Sequence, residues 1–142
     1  FMSDLKDLGL GKIEHIGVAV KDLKAAEQVY TKLLGCKPYK REAVASEHVI
    51  TSFFQAGPNK IELIQATEPH SAIAKHIDKR GEGLHHMAFV VNDIAAEMAR
   101  LREAGFQVLS EKPKLGADNM LVAFIHPKST GGVLVELCQK QS

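Results

Sequence analysis

The hydrophobic pattern of the chain predicts a strand followed by a helix near its start. Over residues 12–20 apolar side chains alternate with small or polar ones, which is the period of a β-strand. The alternation predicts Ile16, Val18 and Val20 on one face, and His15, Gly17 and Ala19 on the other. Apolar residues then recur at helical spacing at Leu23, Ala26, Tyr30, Leu33 and Leu34.

This strand and helix occur twice in the chain. IEHIGVAVKDLKAAE, at 13–27, aligns without gaps on LHHMAFVVNDIAAEM, at 84–98. The alignment places His15 on His86, and it places an aspartate before each helix, where an N-cap is expected. The chain therefore contains an internal repeat, which indicates a fold built from two similar halves.

A second stretch extends the repeat to the end of each half. FFQAGPNKIELI (53–64) parallels AFIHPKSTGGVLVEL (123–137), whose turn is longer, and Glu62 falls on Glu136. Each half is predicted as strand, helix and three strands. The predicted class is α+β, with two pseudo-twofold-related βαβββ modules that form a curved mixed sheet around a metal cleft.

The length of 142 residues favours a single domain. We predict one domain over 12–139, with module one at about 12–66, a connecting helix at about 69–80 and module two at about 83–139. Eighteen basic against 17 acidic residues leave a net charge of +1, which gives no reason to expect nucleic acid or an anionic membrane as a partner.

The two cysteines, Cys36 and Cys138, have no CxxC spacing and favour a reducing compartment, so a cytoplasmic protein with two buried thiols is predicted. No apolar run approaches the length of a membrane span.

The four repeated polar residues predict a metal site. His15 and His86 come from equivalent first strands, and Glu62 and Glu136 from equivalent last strands, each between apolar neighbours. A carboxylate in such surroundings is costly to bury unless it is paired or bound to a cation. Two imidazoles and two carboxylates suit Zn, Co, Ni, Mn or Fe better than Ca or Mg. Alternation along the strand turns His85 away from this site, so it is expected to pack or hydrogen-bond beneath the sheet.

Three motifs carry a resemblance to a known family. KIEHIGVAVKDL, GEGLHHMAF and AFIHPKSTGGVLVEL are similar to the methylmalonyl-CoA epimerases of the vicinal oxygen chelate superfamily, over about Lys12 to Gln139. By position, the resemblance implies that His15, Glu62, His86 and Glu136 hold one divalent ion, with Co, Zn, Ni or Mn as candidates. It also implies a homodimer.

The activity implied by the resemblance is interconversion of (2R)- and (2S)-methylmalonyl-CoA through a metal-stabilised enolate. Such a reaction needs a base on one face of the intermediate and an acid on the other. Glu136 is the first choice for one of them. Some family members carry a glutamate where this chain has Ser52, so the second group is predicted to be Glu62, with Glu47 as the runner-up.

An acyl-CoA substrate would bring phosphates to a chain of almost neutral charge. Lys112 and Lys114 are candidate contacts, as are Lys128 and Ser129 in the second module's turn. Two alternatives stay open: a glyoxalase I-type lactoylglutathione lyase with the same ligands, and a metal-free small-molecule binding module of the drug-resistance type. An extradiol dioxygenase is disfavoured because its triad needs only one carboxylate.

Overall fold

The computed structural model describes residues 9–141 and divides into two compact units. One unit comprises His15–His85, and the other joins residues 9–14 to residues 86–141. The prediction of a single domain over 12–139 stays a prediction. Within the described residues, no helix is long and apolar enough to cross a membrane.

The first unit contains the predicted βαβββ module and one further helix. Its elements are β1 (Ile13–Ala19, which begins in the other unit), α1 (Leu23–Leu34), β2 (Lys40–Val44), β3 (Val49–Ala56), β4 (Asn59–Ala66) and α2 (Ala72–Arg80). The strands are ordered β2-β3-β4-β1, and β1 runs parallel to β4 while the β2–β3 and β3–β4 pairs are antiparallel. Asp22 caps α1 as predicted, since its carboxylate accepts the Ala25 N–H at 3.1 Å.

Helix α1 covers one face of this sheet. Its inner side packs against Val18, Phe54 and Leu63, and each such buried side chain contributes about 1.5–3 kcal/mol. Leu33 shares the helical spacing but lies outside this core, because its side chain is 70% exposed. Successive helical side chains point about 100° apart, so only one of Leu33 and Leu34 can face the sheet, and that one is Leu34.

The connecting helix α2 begins later than the sequence suggested. The predicted start was residue 69, but the helix starts at Ala72, because the Ser71 hydroxyl accepts the Ala74 N–H at 3.0 Å and forms the N-cap. Gly81 ends it as expected, with its N–H donating to the Ile77 carbonyl at 2.7 Å.

The second unit repeats the module. Its elements are β5 (Gly83–Val90, which begins in the other unit), α3 (Ile94–Glu103), β6 (Lys114–Leu115), β7 (Met120–Ile125) and β8 (Leu134–Lys140). The order is β5-β8-β7-β6, and β5 is parallel to β8. Helix α3 packs on Ile125, Val135 and Leu137. The prediction of an α+β fold with two βαβββ modules is therefore confirmed.

The segment before β1 is held against the end of β5. The Gly11 N–H donates to the Val90 carbonyl at 2.7 Å, and the Val90 N–H donates to the Lys12 carbonyl at 2.9 Å. The Gly9 N–H donates to the buried Glu97 carboxylate at 2.8 Å. These contacts explain why residues 9–14 belong to the second unit.

Candidate functional site: two histidine–glutamate pairs

The first unit carries a buried histidine–glutamate pair on the sheet face opposite α1. His15 Nδ1 lies 3.1 Å from Glu62 Oε2, and the two residues are 3% and 5% exposed. Parallel pairing of β1 with β4 produces this contact, because it sets Gly17 beside Glu62 and leaves His15 two residues away on the same face. The sequence did not predict this parallel pairing of the first and last strands of the module.

The second unit carries the matching pair. His86 Nε2 lies 3.1 Å from Glu136 Oε1, and both side chains are buried. Here β5 is parallel to β8, and Ala88 stands beside Glu136 as Gly17 stands beside Glu62. Each predicted ligand from a first strand thus contacts the predicted ligand from the last strand of its own module.

The donor chemistry and spacing of each pair fit a divalent metal ion. Two ligand bonds of about 2.1 Å at right angles place their donor atoms about 3.0 Å apart, close to the separation found in both pairs. Each carboxylate is buried among apolar strands, so a cation offsets the cost of removing its charge from water. The residues present therefore suit an ion with mixed nitrogen and oxygen ligands.

An aromatic ring and a lysine lie next to each pair. In the first unit, Phe53 is the cross-strand partner of Glu62, and Lys40 Nζ is 4.9 Å from the Phe53 ring centroid. In the second unit, Phe124 is the partner of Glu136, and Lys114 Nζ is 5.9 Å from its ring centroid. Both lysines are also at cation–π distance from these rings. The internal repeat therefore extends beyond the four predicted ligands.

The sequence did not single out a contact made by Cys138. Its Sγ lies 3.1 Å from Glu136 Oε2, and the residue is 1% exposed. Strand alternation holds a signal for this contact, since residues two apart point to the same face. The prediction of two buried thiols is correct for Cys138 and wrong for Cys36, which is exposed after the end of α1.

Ser52 lies away from the Glu62 face, under helix α1. Its hydroxyl donates to Glu27 Oε2 at 2.5 Å, and the same carboxylate receives two hydrogen bonds from Arg41. The hydrogen bonds from Arg41 and from Ser52 hold the pKa of Glu27 below its usual value, although burial acts in the opposite direction. Neighbouring residues on a strand point to opposite faces, so Phe53 and not Ser52 borders Glu62.

The Glu27 cluster predicts acid sensitivity that depends on Ser52. A lowered pKa means that Glu27 binds its proton more weakly in the folded chain than in the unfolded chain. The ionised carboxylate therefore stabilises the fold fully above the unfolded pKa of about 4.5, and this stabilisation is lost as pH falls through the lower folded pKa. We expect Ser52→Ala to unfold at lower urea concentration than wild type at pH 7, with a smaller difference near pH 3. Urea titrations at both pH values test this expectation, and Thr51→Ala, a neighbouring buried hydroxyl, is the control. An equal difference at both pH values would contradict it.

Glu47 lies in the turn between β2 and β3. It ends a short 3₁₀ turn, is half-buried, and is followed by His48 in the left-handed conformation at φ 55°. The His48 carbonyl accepts the Thr67 N–H at 2.9 Å, and its ring meets that of His70 edge-on at 4.4 Å. The turn is therefore fixed to the segment that leads into α2.

The predicted substrate contacts separate into two places in the second unit. Lys114 is exposed on β6 beside Phe124, and Lys112 is exposed before that strand. Lys128 and Ser129 lie in the 3₁₀ turn between β7 and β8, where the Ser129 hydroxyl oxygen accepts the Gln107 N–H at 2.9 Å. Of these four residues, Lys114 lies next to the Phe124 ring, which is the cross-strand neighbour of Glu136.

His85 takes the position expected from alternation. It is half-buried, and its ring meets that of His76 on α2 edge-on, with 4.8 Å between centroids. Partial burial lowers the pKa of His76, and the positive charge of Arg80 lowers it further. The doublet His85–His86 therefore contributes one residue to helix packing and one to the pair with Glu136.

A family model described as the glyoxalase/bleomycin resistance protein/dioxygenase superfamily matches residues 14–124. The chain belongs to this superfamily. The match includes His15, Glu62 and His86, and it ends before β8, which carries Glu136. The α+β architecture with paired modules is that of the superfamily's vicinal oxygen chelate fold.

Relatives and solved structures in this superfamily share most of the chain. An ethylmalonyl-CoA/methylmalonyl-CoA epimerase of Cereibacter sphaeroides is 41% identical, over 92% of this chain and 98% of its own. The mitochondrial methylmalonyl-CoA epimerase of Homo sapiens is 36% identical, over 92% of this chain and 74% of its own. A Streptomyces coelicolor methylmalonyl-CoA epimerase variant, in complex with 2-nitronate-propionyl-CoA, superposes with a TM-score of 0.89 at 32% identity, covering 94% of this chain and 100% of its own.

Proposed function

We propose that the chain is an isomerase that interconverts (2R)- and (2S)-methylmalonyl-CoA by moving the α-proton through an enolate. The observation that carries the proposal is the pair of buried histidine–glutamate contacts, one in each module and each at 3.1 Å. The similarity to epimerases over more than nine-tenths of the chain supports the same reaction class and an acyl-CoA substrate.

The four residues of these pairs are proposed to hold one divalent ion, with Co, Zn, Ni or Mn as the candidates. Support comes from the repeat, which makes His15 equivalent to His86 and Glu62 equivalent to Glu136, and from the fit of each pair to metal–ligand spacing. A bound ion supplies Lewis-acid stabilisation of the negative charge that develops on the thioester oxygen when the α-proton leaves.

Glu136 is proposed to transfer the proton on one face of the substrate. It is buried, and its two oxygens have different neighbours: His86 at Oε1 and Cys138 at Oε2. Burial keeps bulk water from competing with the substrate for the carboxylate.

Two glutamates are candidates for the opposite face. Glu62 is buried and equivalent to Glu136 in the repeat, which favours it. Glu47 is half-buried in a turn fixed by His48, and it remains the runner-up. Ser52 is a poor candidate, because its hydroxyl donates to Glu27 and it lies under α1.

Contacts with the CoA part of the substrate are proposed at Lys114, Lys128 and Ser129. The ammonium of Lys114 lies beside Phe124, so it is the first choice for an anionic group near Glu136. Lys128 is exposed in its turn and available to a phosphate.

The assembly and compartment are proposals of the same kind. A homodimer is supported by the exposed apolar residues Val29 and Leu33 on α1, which are 60% and 70% exposed. A cytoplasmic location is supported by the low cysteine content, two in 142 residues without CxxC spacing.

Exchange with solvent deuterium tests the reaction. The metal-loaded protein in D₂O is expected to introduce deuterium at C2 of methylmalonyl-CoA and to convert either epimer into a mixture of both. Mass spectrometry and proton NMR measure the deuterium content and the conversion. Methylmalonyl-CoA incubated without the protein is the control for uncatalysed exchange. Absence of exchange, with turnover of methylglyoxal plus glutathione, would replace the proposal by a lactoylglutathione lyase.

A further inference from the structure

Glu136 makes a second contact besides the one with His86. Cys138 Sγ lies 3.1 Å from Glu136 Oε2, while His86 Nε2 lies 3.1 Å from the other oxygen, Oε1. The thiol donates in this contact, and the carboxylate oxygen accepts. The two oxygens of one carboxylate are therefore fixed by different partners.

The surroundings of Cys138 keep this contact in place. The residue is 1% exposed and packs with Ala88, Met120 and Val122 on the face of the sheet that also carries Glu136. Because Glu136 and Cys138 are two residues apart on β8, the strand itself sets their separation. Water has little access to the sulfur and competes weakly for the hydrogen bond.

We infer that Cys138 is a positioning residue for Glu136. Its thiol holds Oε2 and thereby orients Oε1, the oxygen that contacts His86. This second contact restricts rotation of the carboxylate about its terminal bond, which is a soft torsion. The inference rests on the proposed function for its catalytic consequence, but its effect on metal binding can be measured without substrate.

The size of the effect follows from the type of contact. A partner that orients a metal ligand typically changes metal affinity or activity about 10–100-fold. A thiol is a weak donor, so we expect the lower end: about tenfold weaker Co²⁺ binding and about tenfold lower kcat for Cys138→Ala. The KM for methylmalonyl-CoA should stay within about twofold, because loss of orientation affects the reacting state more than substrate binding.

Three variants separate orientation from packing. Cys138→Ala removes the donor, Cys138→Ser replaces it with a hydroxyl, and Val122→Ala loosens the same cluster while leaving the thiol and Glu136 in place. Co²⁺ affinity is measured by isothermal titration, kcat and KM by the deuterium exchange assay, and stability by urea unfolding.

The expected pattern is a loss of Co²⁺ affinity and kcat in Cys138→Ala, recovery of both in Cys138→Ser, and lower stability with unchanged affinity in Val122→Ala. Equal losses in the alanine and serine variants, or wild-type affinity in Cys138→Ala, would overturn the inference. If the wild type binds Co²⁺ but exchanges no proton, the proposed reaction fails while the affinity comparison still tests the role of Cys138.

Discussion

Glu136→Gln is expected to abolish interconversion of the two methylmalonyl-CoA epimers while leaving the protein folded and able to bind metal. The glutamine keeps an oxygen at the position now held between His86 and Cys138, but it cannot accept a proton at neutral pH. Loss of a positioned base typically lowers the rate about 10²–10⁴-fold. The measurement is C2 deuteration of each pure epimer in D₂O, together with the metal content of the purified variant.

The same assay identifies the second proton-transfer group. Removing one base should stop exchange from the epimer whose α-proton faces it and spare exchange from the other. Glu62→Gln and Glu47→Gln are compared with Glu136→Gln. The variant that lacks the second proton-transfer group should lose deuterium exchange from the epimer that Glu136→Gln still exchanges. Wild-type interconversion in Glu136→Gln would remove Glu136 from the mechanism.

His86→Ala should lose the metal, whereas His85→Ala should retain it. His86 is buried against Glu136, while the ring of His85 packs against His76. Loss of an orienting partner alone weakens metal binding about 10–100-fold, and removing a ligand should cost at least the upper end of that range. Co²⁺ affinity is measured by titration of both variants. His85→Ala is a matched control, because it makes the same chemical change at the neighbouring position of the same strand.

The two histidine variants should also differ in stability. His85→Ala removes a half-buried contact between β5 and α2 and is expected to cost about 1 kcal/mol of unfolding free energy. Its exchange rate should remain within a few-fold of wild type. Equal Co²⁺ affinities in the two variants would contradict the assignment of His86, and not His85, as the metal ligand on β5.

Much of the fold followed from local pattern. The alternation around His15 and the helical spacing after Leu23 correctly predicted β1 and α1, and Asp22 correctly predicted the helix start. Local pattern did not show which of two adjacent leucines on α1 faces the sheet. Leu33 and Leu34 are equally apolar, and the direction in which α1 lies on the sheet selects Leu34.

The candidate site was predictable because the chain contains its pattern twice. A single histidine on a strand carries little information, but the coincidence of His15 with His86 and of Glu62 with Glu136 singled out four residues from seven histidines and 17 acidic residues. The structure then placed each histidine 3.1 Å from the glutamate of its own module. Whether the four residues share one ion stays a prediction.

The sequence by itself determined the class of fold, the repeat and the four candidate ligands, because period-two and period-3.6 patterns are local and a repeat is visible in the letters. Tertiary structure alone decided which neighbours these residues have. Ser52 lies against Glu27, and Cys138 lies against Glu136. Such contacts depend on strand register and on the face that each helix covers, and both are set when distant segments pack together.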